Sequence, residues 1–187
     1  PALKRQFPQL LLLLVPRHPE RFDKVAALVQ QAGLRLWRRS SGSVPDANTE
    51  VALGDSMGEL LAWYQLADLV FIGGSLIERG GHNPLEAIGF AKAVQSGPHI
   101  FNFKEAYRQL KQNNAVSLVD NAAQLATETQ RLLRDNTMRM AQGARAQAFF
   151  KQQQGATTRT LQAIATLLTG APMPAAQHLA YQVSQQG

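Results

Sequence analysis

The most constraining feature of this chain is a rhythm, in which short apolar runs of strand length alternate five or six times with stretches of helical periodicity. Leu10–Val15 opens it as six consecutive apolar residues, which reads as a strand apolar on both faces, as in a buried parallel sheet. A helix from about Glu20 to Ala32 follows, with Phe22, Val25, Ala26 and Val29 as its inner stripe and Gly33 as its stop. Leu34–Trp37 reads as a more polar strand nearer an edge, Ser40–Asn48 as a loop and Glu50–Leu53 as a short strand. Further on come a helix from Met57 to Leu66, a buried strand at Leu69–Ile72 and a helix starting at Pro84. Then come a strand at Ala93–Gln95, a helix at Glu105–Asn113 and a strand at Ala115–Val119. From Asn121 the pattern is helical, with breaks near Asn136 and at Gly155. Such alternation is the mark of an α/β fold, a Rossmann-like doubly wound parallel sheet. The expected domain runs over residues 1–169, and 170–187 is a tail poor in apolar periodicity.

A doubly wound sheet binds ligands at the carboxyl ends of its strands, which directs attention to the loops after Val15, Leu53 and Ile72. In the first, Arg17 and His18 follow the strand directly; an arginine fork and a helix start both suit phosphate. The alternative is an Arg17–Glu20 pair with His18 as a polar helix entry. The second loop is Gly54-Asp55-Ser56-Met57-Gly58-Glu59. Ser56 and Glu59 have capping-box spacing, which would account for both without a ligand. Exposed Met57 and the weak helix former Gly58 fit that account less well, since a glycine there lets something approach the backbone.

The third loop carries Gly73-Gly74-Ser75 and then Gly80-Gly81-His82-Asn83-Pro84-Leu85-Glu86. Asn83, Pro84 and Glu86 together read as a helix cap. Capping requires neither the glycine pairs nor His82, and paired glycines let a backbone fold close around a ligand. The loop is neither a Walker A nor a full G-x-G-x-x-G motif. A fourth polar loop, Ser96–His99 with Asn102 and Phe103, follows the next strand.

Composition narrows the classes. There is no cysteine, which excludes a disulfide scaffold, a thiolate zinc site and a cysteine nucleophile and fits a reducing compartment. No second His, Cys or carboxylate pair lies at ligand spacing from His82, and no D-x-D pair is present, so neither a metal nor a cofactor is expected. Six apolar residues fall far short of a membrane span of ~20. The net charge of +6 is concentrated in residues 1–40, where eight basic residues face two acids, while the remainder balances. Such a field favours an anionic partner, and Arg38 and Arg39 are expected to help meet an anionic membrane surface. Nucleic acid is not expected, because no basic run interleaved with aromatics and no RNA-binding signature is present.

In order along the chain, Leu11–Arg21 (LLLLVPRHPER), Leu53–Leu60 (LGDSMGEL), Ala67–Ser75 (ADLVFIGGS), Gly80–Ala87 (GGHNPLEA) and Gly97–Phe103 (GPHIFNF) resemble the C-terminal half of 3-deoxy-D-manno-octulosonic acid (Kdo) transferases. The resemblance covers roughly residues 3–165. It implies the donor-binding half of a GT-B glycosyltransferase that moves Kdo from CMP-Kdo to a lipid A precursor, with inversion and without a metal, in lipopolysaccharide biosynthesis. It implies that Arg17 and His18 meet the CMP phosphate, that Met57, Gly58 and Glu59 line the cytidine pocket, and that Gly81, His82, Asn83, Pro84, Leu85 and Glu86 close around phosphate and ribose, with Glu86 accepting from ribose hydroxyls. It further implies that the N-terminal half, with a glutamate base and a membrane anchor, lies outside this chain. The full protein would then work at the cytoplasmic face of the bacterial inner membrane, and this soluble piece would bind donor weakly and not turn over. The alternatives are a GT-B enzyme using another nucleotide-sugar, or a non-catalytic nucleotide-binding or interaction module.

Overall fold

The computed structural model describes residues 2–153, 160, 164 and 166–168. It divides into two compact units, Pro1–Phe150 and Lys151–Gly187. The expected break at Gly155, the boundary at residue 169 and the tail 170–187 lie outside the described residues.

The first unit holds six strands in two three-stranded parallel sheets. A short helix α1 (Ala2–Gln6) leads into β1 (Leu12–Leu14). A 3-10 turn over Pro19–Arg21 then opens α2 (Phe22–Gln31), and β2 (Leu36–Arg38) runs into a second 3-10 turn, Arg39–Ser41. β3 (Val51–Leu53) lies between β1 and β2, pairing in parallel with both. After α3 (Leu60–Leu66), the second sheet has the order β4 (Leu69–Ile72), β5 (Ala93–Ser96), β6 (Ser117–Leu118), also parallel. Its crossovers carry α4 (Leu85–Gly89) and α5 (Lys104–Gln112), and α6 (Ala122–Arg134) and α7 (Asn136–Gln153) follow. The alternation read from sequence is therefore present, but it builds two ladders, and among the described residues no strand pairing joins them.

The most apolar run is not the most buried strand. Leu11 and Leu12 are 41% and 50% exposed, whereas Val51, Ala52 and Leu53 of β3 are essentially buried. Burial depends on neighbours: β1 pairs only with β3, while β3 has a strand on each side. The expected edge strand, β2, does lie at an edge. The inner stripe of α2 is as read from sequence, with Ala26 and Val29 buried and Gly33 ending the helix at φ 70°.

The second sheet carries the main core. Val70 and Ile72 of β4 and Val94 of β5 pack with Ala87 and Ile88 of α4, Leu110 of α5, and Ala146 and Phe149 of α7. Asn121 caps α6, accepting from the amides of Ala123 and Gln124, each at 3.0 Å. Gly143 sits mid-helix in α7, where glycine costs about 1 kcal/mol relative to alanine. Its lack of a side chain has a use here, because a Cβ at this position would lie 1.9 Å from the Ala91 carbonyl oxygen. The glycine lets α7 rest on the backbone between α4 and β5.

Replacing Gly143 by alanine should therefore destabilise the protein by about 1–3 kcal/mol despite the better helix former. Thermal or urea melting checks this, and an unchanged or raised midpoint would contradict the close approach.

Candidate functional site

Parallel pairing brings the loops after β1, β3, β4 and β5 to the carboxyl ends of their sheets. Beyond β1, Arg17 and His18 are exposed. His18 Nδ1 lies 3.8 Å from Glu20 Oε1, so the acid suggested as a partner for Arg17 stands beside His18 instead. Arg17 Nη1 reaches across to Nδ1 of His82 at 3.3 Å, 65 positions later in the chain. Burial first, then the Arg17 charge, then that of His18, hold the His82 imidazole below its usual pKa. It is neutral at pH 7, and Nδ1 accepts from the guanidinium. The remaining guanidinium donors have no protein acceptor among the described residues.

The glycine-rich loop after β4 folds back on itself. Gly81 N donates to Gly74 O at 3.1 Å and His82 N to Gly73 O at 3.2 Å. Gly80 stands at φ 79°, and a Cβ there would overlap the Asn102 side chain at 2.4 Å. Ser75, fully buried, ties this loop to the one after β5: its hydroxyl donates to Ile72 O at 2.6 Å and accepts from Gly97 N at 2.7 Å. Its carbonyl accepts from His99 N at 3.0 Å. Asn102 completes the junction, donating to Arg79 O at 3.0 Å. Asn83 Oδ1 accepts from Leu85 N at 3.0 Å, as a helix cap does. Glu86 behaves differently from the capping acid expected there. It is exposed and makes no hydrogen bond or ion pair among the described residues. Its charge is felt by half-buried Tyr64, whose hydroxyl burial, and after it Glu86, pushes up to about 12.

The turn after β3 is not a capping box. The helix expected from Met57 starts at Leu60, because Gly58 sits at φ 83° and breaks the first turn. Ser56 donates its hydroxyl to the Glu59 carboxylate and accepts from no helix amide among the described residues, and Met57 is left 64% exposed. Gly54 N donates to Leu14 O at 2.9 Å, which sets this turn beside the Arg17 loop. Asp55, 6% exposed, accepts from Ser40 N at 2.8 Å, Ser40 Oγ at 2.5 Å and Arg38 Nε at 2.6 Å. Burial alone would raise this carboxyl, but the Ser40 donors and then Arg38 outweigh it and hold it below its ordinary range. Arg39 Nη2 donates to Glu59 Oε1 at 3.0 Å. Arg38 and Arg39, read from sequence as free basic charges, are thus ion-paired: Arg38 to Asp55 and Asp23, Arg39 to Glu59.

The structure brings Arg17, Gly81 and His82 into one cluster, with Asn83, Pro84, Leu85 and Glu86 following directly, and Gly54 places Met57, Gly58 and Glu59 on the strand end next to Arg17. His18 sits on the same rim but turns to Glu20. Ser75, Asp55 and Arg39 carry the loop-to-loop bonds, yet the sequence gives their roles no signal beyond position after a strand. Among the described residues, no group of three or more His, Asp or Glu side chains stands close enough to hold a metal. A surface hollow of about 540 Å³ lies along β6 and α6, lined by Ser117, Gln124, Thr127 and Glu128 among others. It offers a phosphate no cation, and Glu128 is already held by Arg131 and Ser117.

No family model matches the chain. Individual relatives do. The chain is 44% identical over 161 residues to the 3-deoxy-D-manno-octulosonic acid transferase of Haemophilus influenzae, covering 86% of this chain and 38% of that protein. It is 41% identical over 158 residues to the Bordetella pertussis transferase, covering 84% and 37%. It superposes with a TM-score of 0.74 and 38% identity on the crystal structure of the C-terminal CMP-Kdo binding domain of WaaA from Acinetobacter baumannii, covering 78% of this chain and 76% of that one. The chain belongs to the Kdo transferase family. Its α/β fold is that of the C-terminal half of a GT-B glycosyltransferase, as the sequence led one to expect. It spans less than two fifths of the length of these curated transferases, 38% and 37%.

The buried latch at Asp55 carries a pH signature. Its folded-state pKa lies below the ordinary 3.8, so the stabilisation is complete above that value and is lost as pH falls through the lowered one. Asp55→Asn should cost about 1–3 kcal/mol at pH 7, and the gap in melting temperature to the unsubstituted protein should close on acidification below pH 3.8. A gap independent of pH would mean that the carboxylate charge is not what holds the turn.

Proposed function

We propose that this chain is the donor-binding domain of a Kdo transferase and that the strand-end rim receives CMP-Kdo. The observation that carries this is the state of two opposite charges at the rim. Arg17 keeps guanidinium donors free and Glu86, at the start of α4, keeps its carboxylate unpaired, while Asp55 and Glu59 in the turn after β3 are engaged internally. A nucleotide monophosphate has the complementary set, with phosphate oxygens to accept from Arg17 and ribose hydroxyls to donate to Glu86. The Met57–Gly58–Glu59 turn, with its left-handed glycine and exposed methionine, supplies an open backbone and an apolar side chain for the base. His82 and the Gly80–Gly81 turn stand beside the phosphate position.

In this reading an acceptor hydroxyl on a lipid A precursor attacks the Kdo anomeric carbon from the face opposite the phosphate. The bond from that carbon to the phosphate oxygen breaks, CMP departs, and the configuration inverts. The hydroxyl proton passes to a glutamate of the N-terminal half. The present residues contribute charge: Arg17 stabilises the phosphate as it leaves, and neutral His82 can donate from Nε2 without adding charge beforehand. No metal is required by this scheme. Without its other half the domain binds donor weakly and does not turn over. The full protein works at the cytoplasmic face of the inner membrane. There, Arg5, Arg21 and Lys24, which have no carboxylate partner among the described residues, replace Arg38 and Arg39 as the charges available to anionic lipid. The shared family favours this reading over a GT-B enzyme with another nucleotide-sugar and over a non-catalytic module.

Calorimetric titration of the full-length protein should detect CMP and not UMP. Glu86→Gln should weaken CMP binding about tenfold, as expected for a hydrogen bond to a charged group, and leave the melting temperature unchanged. Equal binding of UMP, or a lowered melting temperature with intact affinity, would argue against the site. A bound phosphate beside His82 should also lift the imidazole from its depressed pKa. An NMR titration of His82 that does not move on adding CMP would place the phosphate elsewhere.

A further inference from the structure

The 3-10 turn Arg39–Ser41 follows β2, and the turn of residues 54–59 follows β3, yet two carboxylates join them. Asp55, its side chain fully buried, holds the amide and hydroxyl of Ser40 and the guanidinium of Arg38. This anchors the Ser40 backbone on one side of Arg39 and the Arg38 side chain on the other. From that support the Arg39 guanidinium reaches Glu59 Oε1 at 3.0 Å, and the other carboxylate oxygen takes the Ser56 hydroxyl. Gly58 interrupts the helix, and α3 begins only at Leu60. Glu59 stands just before α3, where its carbonyl accepts from Trp63 N at 3.2 Å, and its side chain is held by these two donors.

We propose that Arg39 is a positioning residue for nucleobase recognition, acting through Glu59 to hold the Met57–Gly58–Glu59 turn in the shape that receives the base of a cytidine nucleotide. The inference rests on the reading of that turn as the base pocket. Side-chain exposures of 45% for Arg39 and 34% for Glu59 make this a pair of modest Coulomb energy. Its contribution is geometric, since a planar guanidinium rooted in a fixed backbone restricts where the carboxylate can stand. An arginine serving only as a surface charge would need neither the buried Asp55 latch beneath it nor a carboxylate opposite it.

The test uses the full-length protein, CMP as the calorimetric probe, and Arg39→Ala, Arg39→Lys, Glu59→Gln and the Arg39→Ala/Glu59→Gln double variant, with melting temperatures measured alongside. Arg39→Ala should weaken CMP binding about three- to fivefold, and the intact Asp55 latch should keep the melting temperature near that of the unsubstituted protein. Arg39→Lys should recover part of the loss. The double variant should bind no more weakly than the weaker single variant, because one residue acts through the other. In turnover the loss should fall on KM for the donor and not on kcat. Unchanged CMP affinity in Arg39→Ala overturns the proposal. So does a double variant whose loss is the product of the two single losses, or an affinity loss that merely tracks a lowered melting temperature. If the unsubstituted protein fails to bind CMP, the reading of the site falls and this inference with it; if it binds and Arg39→Ala binds equally, only this inference falls.

Discussion

Parallel strand pairing is the constraint on which the rest of the structure depends. Each crossover must return the chain to the same end of the sheet before the next strand begins, so every loop that leaves a strand leaves from one side. β1 and β3 bring Arg17 and the Gly54–Glu59 turn to that side, and β4 and β5 bring the glycine-rich loop and the Gly97–Phe103 loop. Pairing gathers the loops of each sheet separately, and Arg17 from the first and His82 from the second, 65 positions apart, meet at 3.3 Å. Neither residue could form a site from its own loop.

The rim is then set by short polar bonds between loops. Ser75 joins the loops after β4 and β5 through its hydroxyl and its carbonyl, where a Cβ on Gly97 would stand 2.1 Å from the Ser75 oxygen. Asp55 joins the turns after β2 and β3. These bonds use up the polar groups that serve structure. The free face of Arg17 and the unpaired Glu86 are not among them, and it is these that the proposed function assigns to the phosphate and ribose of the donor.

Much of this was legible from residues alone, for particular reasons. The inner stripe of α2 and the stop at Gly33 followed from helical periodicity and from the left-handed preference of glycine, both local properties. The strand at Leu69–Ile72 and the glycine-rich loop behind it were equally local. The capping box at Ser56 and Glu59 was misleading because its spacing says nothing about Gly58, whose positive φ delays the helix to Leu60. The burial of Leu10–Val15 was overestimated because apolar character records what a strand can tolerate, not how many neighbours it has. Arg38 and Arg39 read as free charge because their partners, Asp55 and Glu59, are 17 and 20 positions away.

The sequence by itself determined the alternation of elements, the edge to search and the identity of the residues at that edge, since all three follow from local periodicity and from the handedness of parallel crossovers. Tertiary structure alone decided which strand is central, which arginines are spent in ion pairs, and which loops stand beside one another at the strand ends. Those outcomes depend on distances between residues far apart in the chain, and no local pattern of side chains contains them.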